Sequence, residues 1–175
     1  MDFEASKAIA AVAFLHSRTS ASLYPVLKML YLADKRHLER HGRFIVGDRY
    51  FALAQGPVPT ATYDMLKYLR GDRKYFAGDV DPRAFLTLSR DDHSFALVRE
   101  PDYGALSESD VECLQEIAEL CRLHGTAHIR ALSHDSAWRA AGPNRMISDD
   151  AIASQLASAP ELIQHLADRF PGEAS

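Results

Sequence analysis

The sequence predicts a mainly α fold, a compact helical domain of about six helices with a small β-hairpin insertion. Its 175 residues are typical of one domain, which at this size buries about 70% of the unfolded chain's surface. The composition, 47% hydrophobic and 25% charged, is that of an ordinary folded protein. Apolar residues recur at helical spacing in several segments, and capping residues or glycines bound those segments.

The N-terminal part is predicted to form two helices. Phe3 to His16 carries apolar residues at helical spacing, which is typical of an amphipathic helix. The second helix, from about Leu23 to His41, should end at Gly42, because glycine readily adopts the left-handed conformation that closes a helix. Its apolar stripe is formed by Leu23, Leu27, Leu30, Tyr31 and Leu38.

The segment from Gly42 to Pro59 interrupts this periodicity with three glycines and two prolines. We interpret it as a structured connection rather than a helix. A third helix is predicted from Thr60 to Leu69, because prolines favour the start of a helix and Gly71 follows its end.

Two short runs of β-prone residues predict the hairpin. They are Ala84 to Ser89 and Ser94 to Arg99, on either side of the polar turn Arg90 to His93. This hairpin separates the N-terminal helices from the C-terminal ones.

The C-terminal half is predicted to contain the remaining helices. Ser107 and Asp110 have the spacing of a capping pair, which marks the start of a helix. The elements after it are a helix from Thr126 to about His134, a turn carrying Trp138, a helix capped by Ser148 and a last helix behind Pro160. With no linker in view, we predict one domain over residues 1–170 and a frayed tail over residues 171–175.

Charge and hydropathy narrow the classes of partner. The formal net charge is -4, so the chain as a whole does not attract phosphate backbones or anionic lipid, and nucleic acid is not the expected partner. The acidic N-terminus does not resemble an export signal, and no apolar run is long enough to span a membrane. Cys113 and Cys121 lie too far apart on a predicted helix to be bridged, so we expect reduced thiols and a cytoplasmic protein.

Asp34 is the polar residue that periodicity makes most informative. It lies on the apolar stripe of the second predicted helix, seven positions after Leu27. A buried carboxylate needs a cation or hydrogen-bond donors, because an unpaired buried charge costs several kcal/mol. We therefore predict that Asp34 is buried and anchored by a donor such as Arg43, Arg49 or His134. The alternative is an acid that faces a pocket.

Two pairs of histidines have the spacing of metal ligands on a helix. His37 and His41 lack a glutamate at the position that zinc proteases require, and the pair His124 and His128 straddles a predicted helix break. Neither pair has a convincing third ligand. We expect no metal and no cofactor, and the chain shows no short catalytic motif, so no catalytic residue is assigned.

Three stretches in series resemble the Panacea domain, which is found in phage-associated proteins and SocA-like antitoxins. The first is the helix segment Leu27 to Asp34, the second runs from Gly42-Arg43 through Gly47-Asp48-Arg49-Tyr50 to Gly56-Pro57-Val58, and the third is Leu132-Ser133-His134 with Trp138. The motif residues that carry the resemblance are Lys28, Tyr31, Asp34, Gly47, Asp48, Tyr50, Gly56, Pro57, Val58, His134 and Trp138.

The resemblance implies an antitoxin that is not an enzyme and that neutralises a cognate toxin, encoded nearby, by direct protein–protein binding. The motif residues would then form a scaffold, and Arg73, Lys74 and Tyr75 are the candidate partner-binding residues. From its residue type, Trp138, the only tryptophan, is predicted to fill the core, with an interface anchor as the alternative. A homodimer is an open alternative for the assembly. The competing functions are a hydrolase or metal-dependent enzyme that uses Asp34 and His134, and a regulator that binds its own operator.

Overall fold

The computed structural model describes residues 3–169, so the predicted tail of residues 171–175 lies outside the described residues. A mainly α fold is confirmed, although the described residues contain eight helices rather than about six. These are α1 (Ala5–Thr19), α2 (Leu23–His41), α3 (Thr60–Arg70), α4 (Glu108–His124), α5 (Thr126–Ser133), α6 (Ser136–Ala141), α7 (Asp149–Ala153) and α8 (Ala159–Arg169). The strands are β1 (Tyr50–Leu53), β2 (Gly56–Pro59), β3 (Leu86–Leu88), β4 (Phe95–Leu97) and β5 (Arg145–Ile147).

Helix α2 is the centre of the domain. It contacts α1, α4, α5, α7 and strand β2, and its predicted stripe from Leu23 to Leu38 is buried. Helix α1 differs from the prediction, because every residue from Ala8 to Leu15 is buried rather than one face alone. Four alanines in that run let neighbouring elements approach α1 from several sides, as is typical of an enclosed helix.

The segment predicted as a connection contains a small sheet. Strands β1 and β2 form an antiparallel hairpin, and β5 pairs with the other side of β1, giving the order β2-β1-β5. Pro57 and Pro59 are tolerated in β2 because it is an edge strand, where a missing amide need not break the ladder. The sheet joins residues 50–59 to the segment just before α7.

The predicted hairpin is confirmed, with shorter strands than the runs suggested. Strands β3 and β4 pair antiparallel, with Leu86 opposite Leu97 and Leu88 opposite Phe95. The stretch around Trp138, predicted as a turn, forms the short helix α6 instead. Asp135 caps it by accepting a hydrogen bond from the Trp138 amide.

The predicted helix ends are confirmed at the positions that carry a specific capping residue. Gly42 and Gly71 follow α2 and α3 with φ of +67° and +88°. Ser107 and Asp110 form a reciprocal capping box at the start of α4.

Both cysteines are buried free thiols. Within residues 3–169, no helix combines the length and the hydropathy that crossing a membrane would require.

Candidate functional site

Most of the motif residues meet where α2 faces the β1–β2 hairpin and the junction of α5 with α6. We call this set the motif cluster, and it consists of Lys28, Tyr31, Asp34, Tyr50, Gly56, Pro57, His134 and Trp138. Lys28, Tyr31 and Asp34 share one face of α2 because they are spaced by three residues. Each of these three side chains reaches a different element of the chain.

Asp34 fixes the segment that follows α2. Its side chain is 1% exposed, and its two oxygens accept hydrogen bonds of 2.6 Å from the Ile45 amide and the Tyr50 hydroxyl. The prediction of a buried, hydrogen-bonded anchor is confirmed. Two of the predicted donors are wrong, because Arg43 contacts Asp110 and His134 donates a hydrogen bond to the Gln55 carbonyl instead.

Burial also changes the acidity of Asp34. Removal from water raises the pKa of Asp34 to about 7, against the opposing effect of the hydrogen bonds from Tyr50 and Ile45. The phenol of Tyr50 is buried beside this carboxyl group, and burial together with the Asp34 charge raises the pKa of Tyr50 well above its usual value. The tyrosine therefore acts as a neutral hydrogen-bond donor.

Asp48 caps α3 from a distant position in the chain. The residue before α3, Pro59, has no side chain that could cap the helix. Asp48 supplies the acceptor, with hydrogen bonds of 3.0 Å from the Ala61 amide and 2.7 Å from the Thr62 amide. Gly47, with φ of +72°, turns the chain so that Asp48 reaches the helix end.

Gly56 is the point of closest approach in the motif cluster. A Cβ at this position would lie 2.8 Å from Lys28 Cε and 2.9 Å from His134 Nε2, and its φ of +116° strains any other residue. Lys28 donates a 3.1 Å hydrogen bond to the carbonyl of Pro57, next in the chain. Only glycine at this position therefore allows Lys28 of α2 and His134 to pack against the hairpin at the same time.

Lys28 is a buried ammonium held by that carbonyl. Its side chain lies in the core with 3% exposure, and Lys28 has no ion pair with the described carboxylates. Burial, and then the charge of Arg130, lower the pKa of Lys28 to about 8. The Lys28 ammonium therefore has no counter-ion in the described part of the chain.

His134 and Trp138 close the other side of the hairpin. Their rings stack with centroids 4.2 Å apart and planes at 15°. His134 Nε2 donates to the Gln55 carbonyl at 3.1 Å, and Trp138 Nε1 donates to the Leu53 carbonyl at 2.9 Å. Trp138 is half-buried rather than enclosed, which corrects the prediction of a core position.

Asp135 belongs to the site, and the sequence reasoning missed it. Its carboxylate accepts hydrogen bonds from the Tyr31 hydroxyl at 2.8 Å and the Lys35 ammonium at 2.7 Å. Burial, and then the Asp135 charge, raise the pKa of Tyr31 well above its usual range. Asp135 thus couples α2 to the start of α6. A helix-capping position next to His134 was the signal that could have found it.

Some predicted site residues lie elsewhere. Arg73, Lys74 and Tyr75 are exposed on the loop after α3, where Arg73 pairs with Asp64 of that helix. Val58 is buried on β2, opposite Phe51.

Asp34 and His134 do not form a catalytic pair. Asp34 bonds to Ile45 and Tyr50, whereas His134 bonds to Gln55. The carboxyl group is buried, and both of its oxygens already accept hydrogen bonds. The arrangement can hold the hairpin against α2, but it offers no exposed acid and base side by side.

The histidine pairs lie at two other places. His37 is buried between the Arg43 carbonyl and Asp110, with the His41 ring 4.6 Å away between centroids. The rings of His124 and His128 are 4.9 Å apart on the exposed ends of α4 and α5. Across residues 3–169, no three His, Cys, Asp or Glu side chains are arranged to hold a metal ion.

Replacing Trp138 with alanine is expected to lower the free energy of unfolding by about 3 kcal/mol, because it removes the ring stack and leaves the Leu53 carbonyl without its donor. Denaturant titration of both proteins measures this. Trp138→Phe is the matched control, which keeps an aromatic ring and should cost about 1 kcal/mol for the lost hydrogen bond. A loss below about 0.5 kcal/mol for the alanine variant would show that Trp138 is not a structural residue.

Comparison with known proteins gives one match. The sequence model of the family described as antitoxin SocA-like, Panacea domain, matches residues 26–139, which is more than half of the chain. The matched range includes every residue of the motif cluster and both strands of the β1–β2 hairpin. No curated protein and no solved structure matches the chain.

Proposed function

Because the chain belongs to the SocA-like antitoxin family with a Panacea domain, we propose that it neutralises a cognate toxin by binding directly to it. The toxin would be a protein encoded next to this chain. The observation that carries the proposal is that the motif side chains bond to one another and to the backbone around them. Lys28 donates a hydrogen bond to the Pro57 carbonyl, Asp34 accepts one from the Tyr50 hydroxyl, and Trp138 donates one to the Leu53 carbonyl. Such a cluster serves as a frame for binding surfaces rather than as a reaction centre.

The loop after α3 is one surface that we propose for partner contact. Arg73, Lys74 and Tyr75 are exposed, and the Tyr75 side chain is 76% exposed. Tyrosine and arginine are both enriched in protein interfaces. Because these side chains do not belong to the core, substitutions there should weaken binding and leave the melting temperature nearly unchanged.

Co-expression tests the proposed function. A host that expresses the adjacent gene alone should stop growing, and co-expression of this chain should restore growth, because the bound toxin cannot reach its target. Lys74→Glu with Tyr75→Ala should reduce this rescue while the protein remains folded. Arg18→Glu with Arg99→Glu, on α1 and after β4, is a control at exposed sites distant in sequence.

The antitoxin proposal fails if no neighbouring gene is toxic and this chain restores growth in no combination. The alternative from the sequence, an enzyme that uses Asp34 and His134, is distinguished by one substitution. It would predict that Asp34→Asn abolishes a turnover that can be assayed, whereas the proposed antitoxin keeps its rescue whenever this variant folds. A cytoplasmic complex and a homodimer are further proposals, and the homodimer is checked by light scattering of the purified chain.

A further inference from the structure

The stretch from Arg122 to Ile147, which covers α5, α6 and β5, is unusually basic for this chain. It contains four arginines and a single acidic residue, Asp135, whereas the whole chain has a net charge of -4. Positive charge is therefore concentrated on one part of the structure, and acidic residues dominate the rest.

The single acid in this stretch does not neutralise its surface. The Asp135 side chain is largely buried and bonds to Lys35 and Tyr31 of α2. Among the arginines, Arg122 pairs with Glu119 of α4. Arg130, Arg139 and Arg145 are exposed, and none of the three has an ion pair with a carboxylate in residues 3–169.

Exposed apolar side chains lie on the same elements as these arginines. Leu132 of α5 is 41% exposed, and Met146 of β5 is 51% exposed. We call Arg130, Arg139 and Arg145 the α5–α6 face. Exposed arginines with apolar groups on the same elements are typical of surfaces that bind proteins.

Hydrogen bonds and strand pairing bring the elements of this face together around the turn between β1 and β2. The Arg130 guanidinium donates a 2.6 Å hydrogen bond to the Gln55 side chain in the turn between β1 and β2. Helix α6 contacts both β1 and β5, and Trp138 bonds to the Leu53 carbonyl at the end of β1. Behind this turn lies the buried ammonium of Lys28, whose nearest partner is a carbonyl rather than a carboxylate. Its charge adds to that of the exposed arginines.

We propose that the α5–α6 face binds an acidic segment of the toxin, an inference that rests on the proposed antitoxin function. Carboxylates of the toxin would pair with Arg130, Arg139 and Arg145. A protein fits this face better than nucleic acid for two reasons. Exposed apolar groups lie on the same elements as the cations, and the acidic remainder of the chain would repel a phosphate backbone.

Charge reversal tests the proposal on the complete chain. The probe is the product of the adjacent toxic gene, separated from the co-expressed complex in guanidinium and refolded. Arg139→Glu with Arg145→Glu should weaken binding by about tenfold or more, and the wild-type affinity should fall as salt rises. Arg18→Glu with Arg99→Glu makes the same change in net charge at exposed positions outside the face, and should change the dissociation constant less than about twofold.

The outcomes separate this proposal from the antitoxin function. If the wild type binds the probe and both reversal variants bind equally well, the face is wrong and the antitoxin function stands. If the wild type binds no product of a toxic neighbour, both are overturned. The face is also overturned if a fluorescent DNA duplex of 20 base pairs binds the wild type and is released by Arg139→Glu with Arg145→Glu, because its ligand is then nucleic acid. Unchanged melting temperatures confirm that all variants are folded.

Discussion

Replacing Asp34 with alanine is expected to lower the free energy of unfolding by about 3 kcal/mol or more, because two buried donors lose their acceptor at once. The Ile45 amide and the Tyr50 hydroxyl both bond to this carboxyl group at 2.6 Å, out of reach of water. Each unsatisfied buried donor costs about 1–3 kcal/mol. Urea titration at pH 6, followed by far-ultraviolet circular dichroism, measures the loss.

Asp34→Asn is the matched control, and comparing its stability with that of the wild type at several pH values gives a second test. The amide can still accept from Ile45 and can donate to the Tyr50 oxygen, so this variant should retain most of the stability. The pKa of Asp34 is about 7 in the folded protein, against about 3.9 in an unfolded chain. Because the folded state holds the proton more tightly, the wild type should lose stability relative to Asp34→Asn as pH rises from about 4 to about 7.

A flat difference between the wild type and Asp34→Asn across this pH range would contradict the buried environment of the carboxyl group. An alanine variant as stable as the wild type would contradict its role as an anchor. In either case the motif cluster would not be the frame that holds the hairpin to α2.

Replacing Asp110 with alanine is expected to cost about 3–5 kcal/mol, because the carboxylate is the centre of a buried ion cluster. Its Oδ2 lies 2.9 Å from Lys7 Nζ and accepts from the Ser107 amide at 2.9 Å. Its Oδ1 lies 2.9 Å from Arg43 Nη2, as an ion contact, and 3.1 Å from the buried His37 Nε2; neither is an aligned hydrogen bond. The substitution removes the counter-ion of Lys7 and Arg43 and opens the capping box of α4.

Asp110→Asn separates charge from hydrogen bonding at this position, since the amide can still accept from the Ser107 backbone. We expect this variant to be intermediate in stability at pH 7. Burial would raise the pKa of Asp110, but the Ser107 amide together with Lys7 and Arg43 holds it below the usual value. The ion cluster therefore stabilises the fold above about pH 4 and is lost as pH falls below that, so acid should narrow the gap between the wild type and Asp110→Asn. A loss under about 1 kcal/mol for Asp110→Ala at pH 7 would contradict the account.

Helical phase was sufficient to predict that Asp34 is buried, because its position on the stripe of α2 depends only on nearby residues. Its partner Tyr50 could not be predicted, since that contact depends on strand β1 and on pairing with β5 nearly a hundred residues away. The β1–β2 hairpin was not predicted either, because β2 contains two prolines and proline is depleted from strands in general. The start of α4 and the ends of α2 and α3 could be predicted, because each depends on a capping residue that lies next to the helix in the sequence.

At the junction of α5 with α6, too, contacts between residues far apart in the chain could not be predicted from the local sequence. The sequence indicated His134 and Trp138 through a family resemblance, yet Asp135 between them was not assigned. Its partners, Tyr31 and Lys35, are about a hundred positions earlier in the chain, so only the folded structure shows why an acid is needed there. A frame built from such long-range contacts can remain constant while exposed surfaces adapt to different partners.

Direct binding between this chain and its toxin is measured by the molar mass of the co-expressed pair. Size-exclusion chromatography with light scattering should give one peak that contains this chain and the product of the adjacent toxic gene, with a mass equal to a whole-number combination of the two. Direct binding predicts this peak under the conditions in which growth is restored. Two separate peaks at concentrations that restore growth would contradict the claim that this chain neutralises its toxin by binding to it.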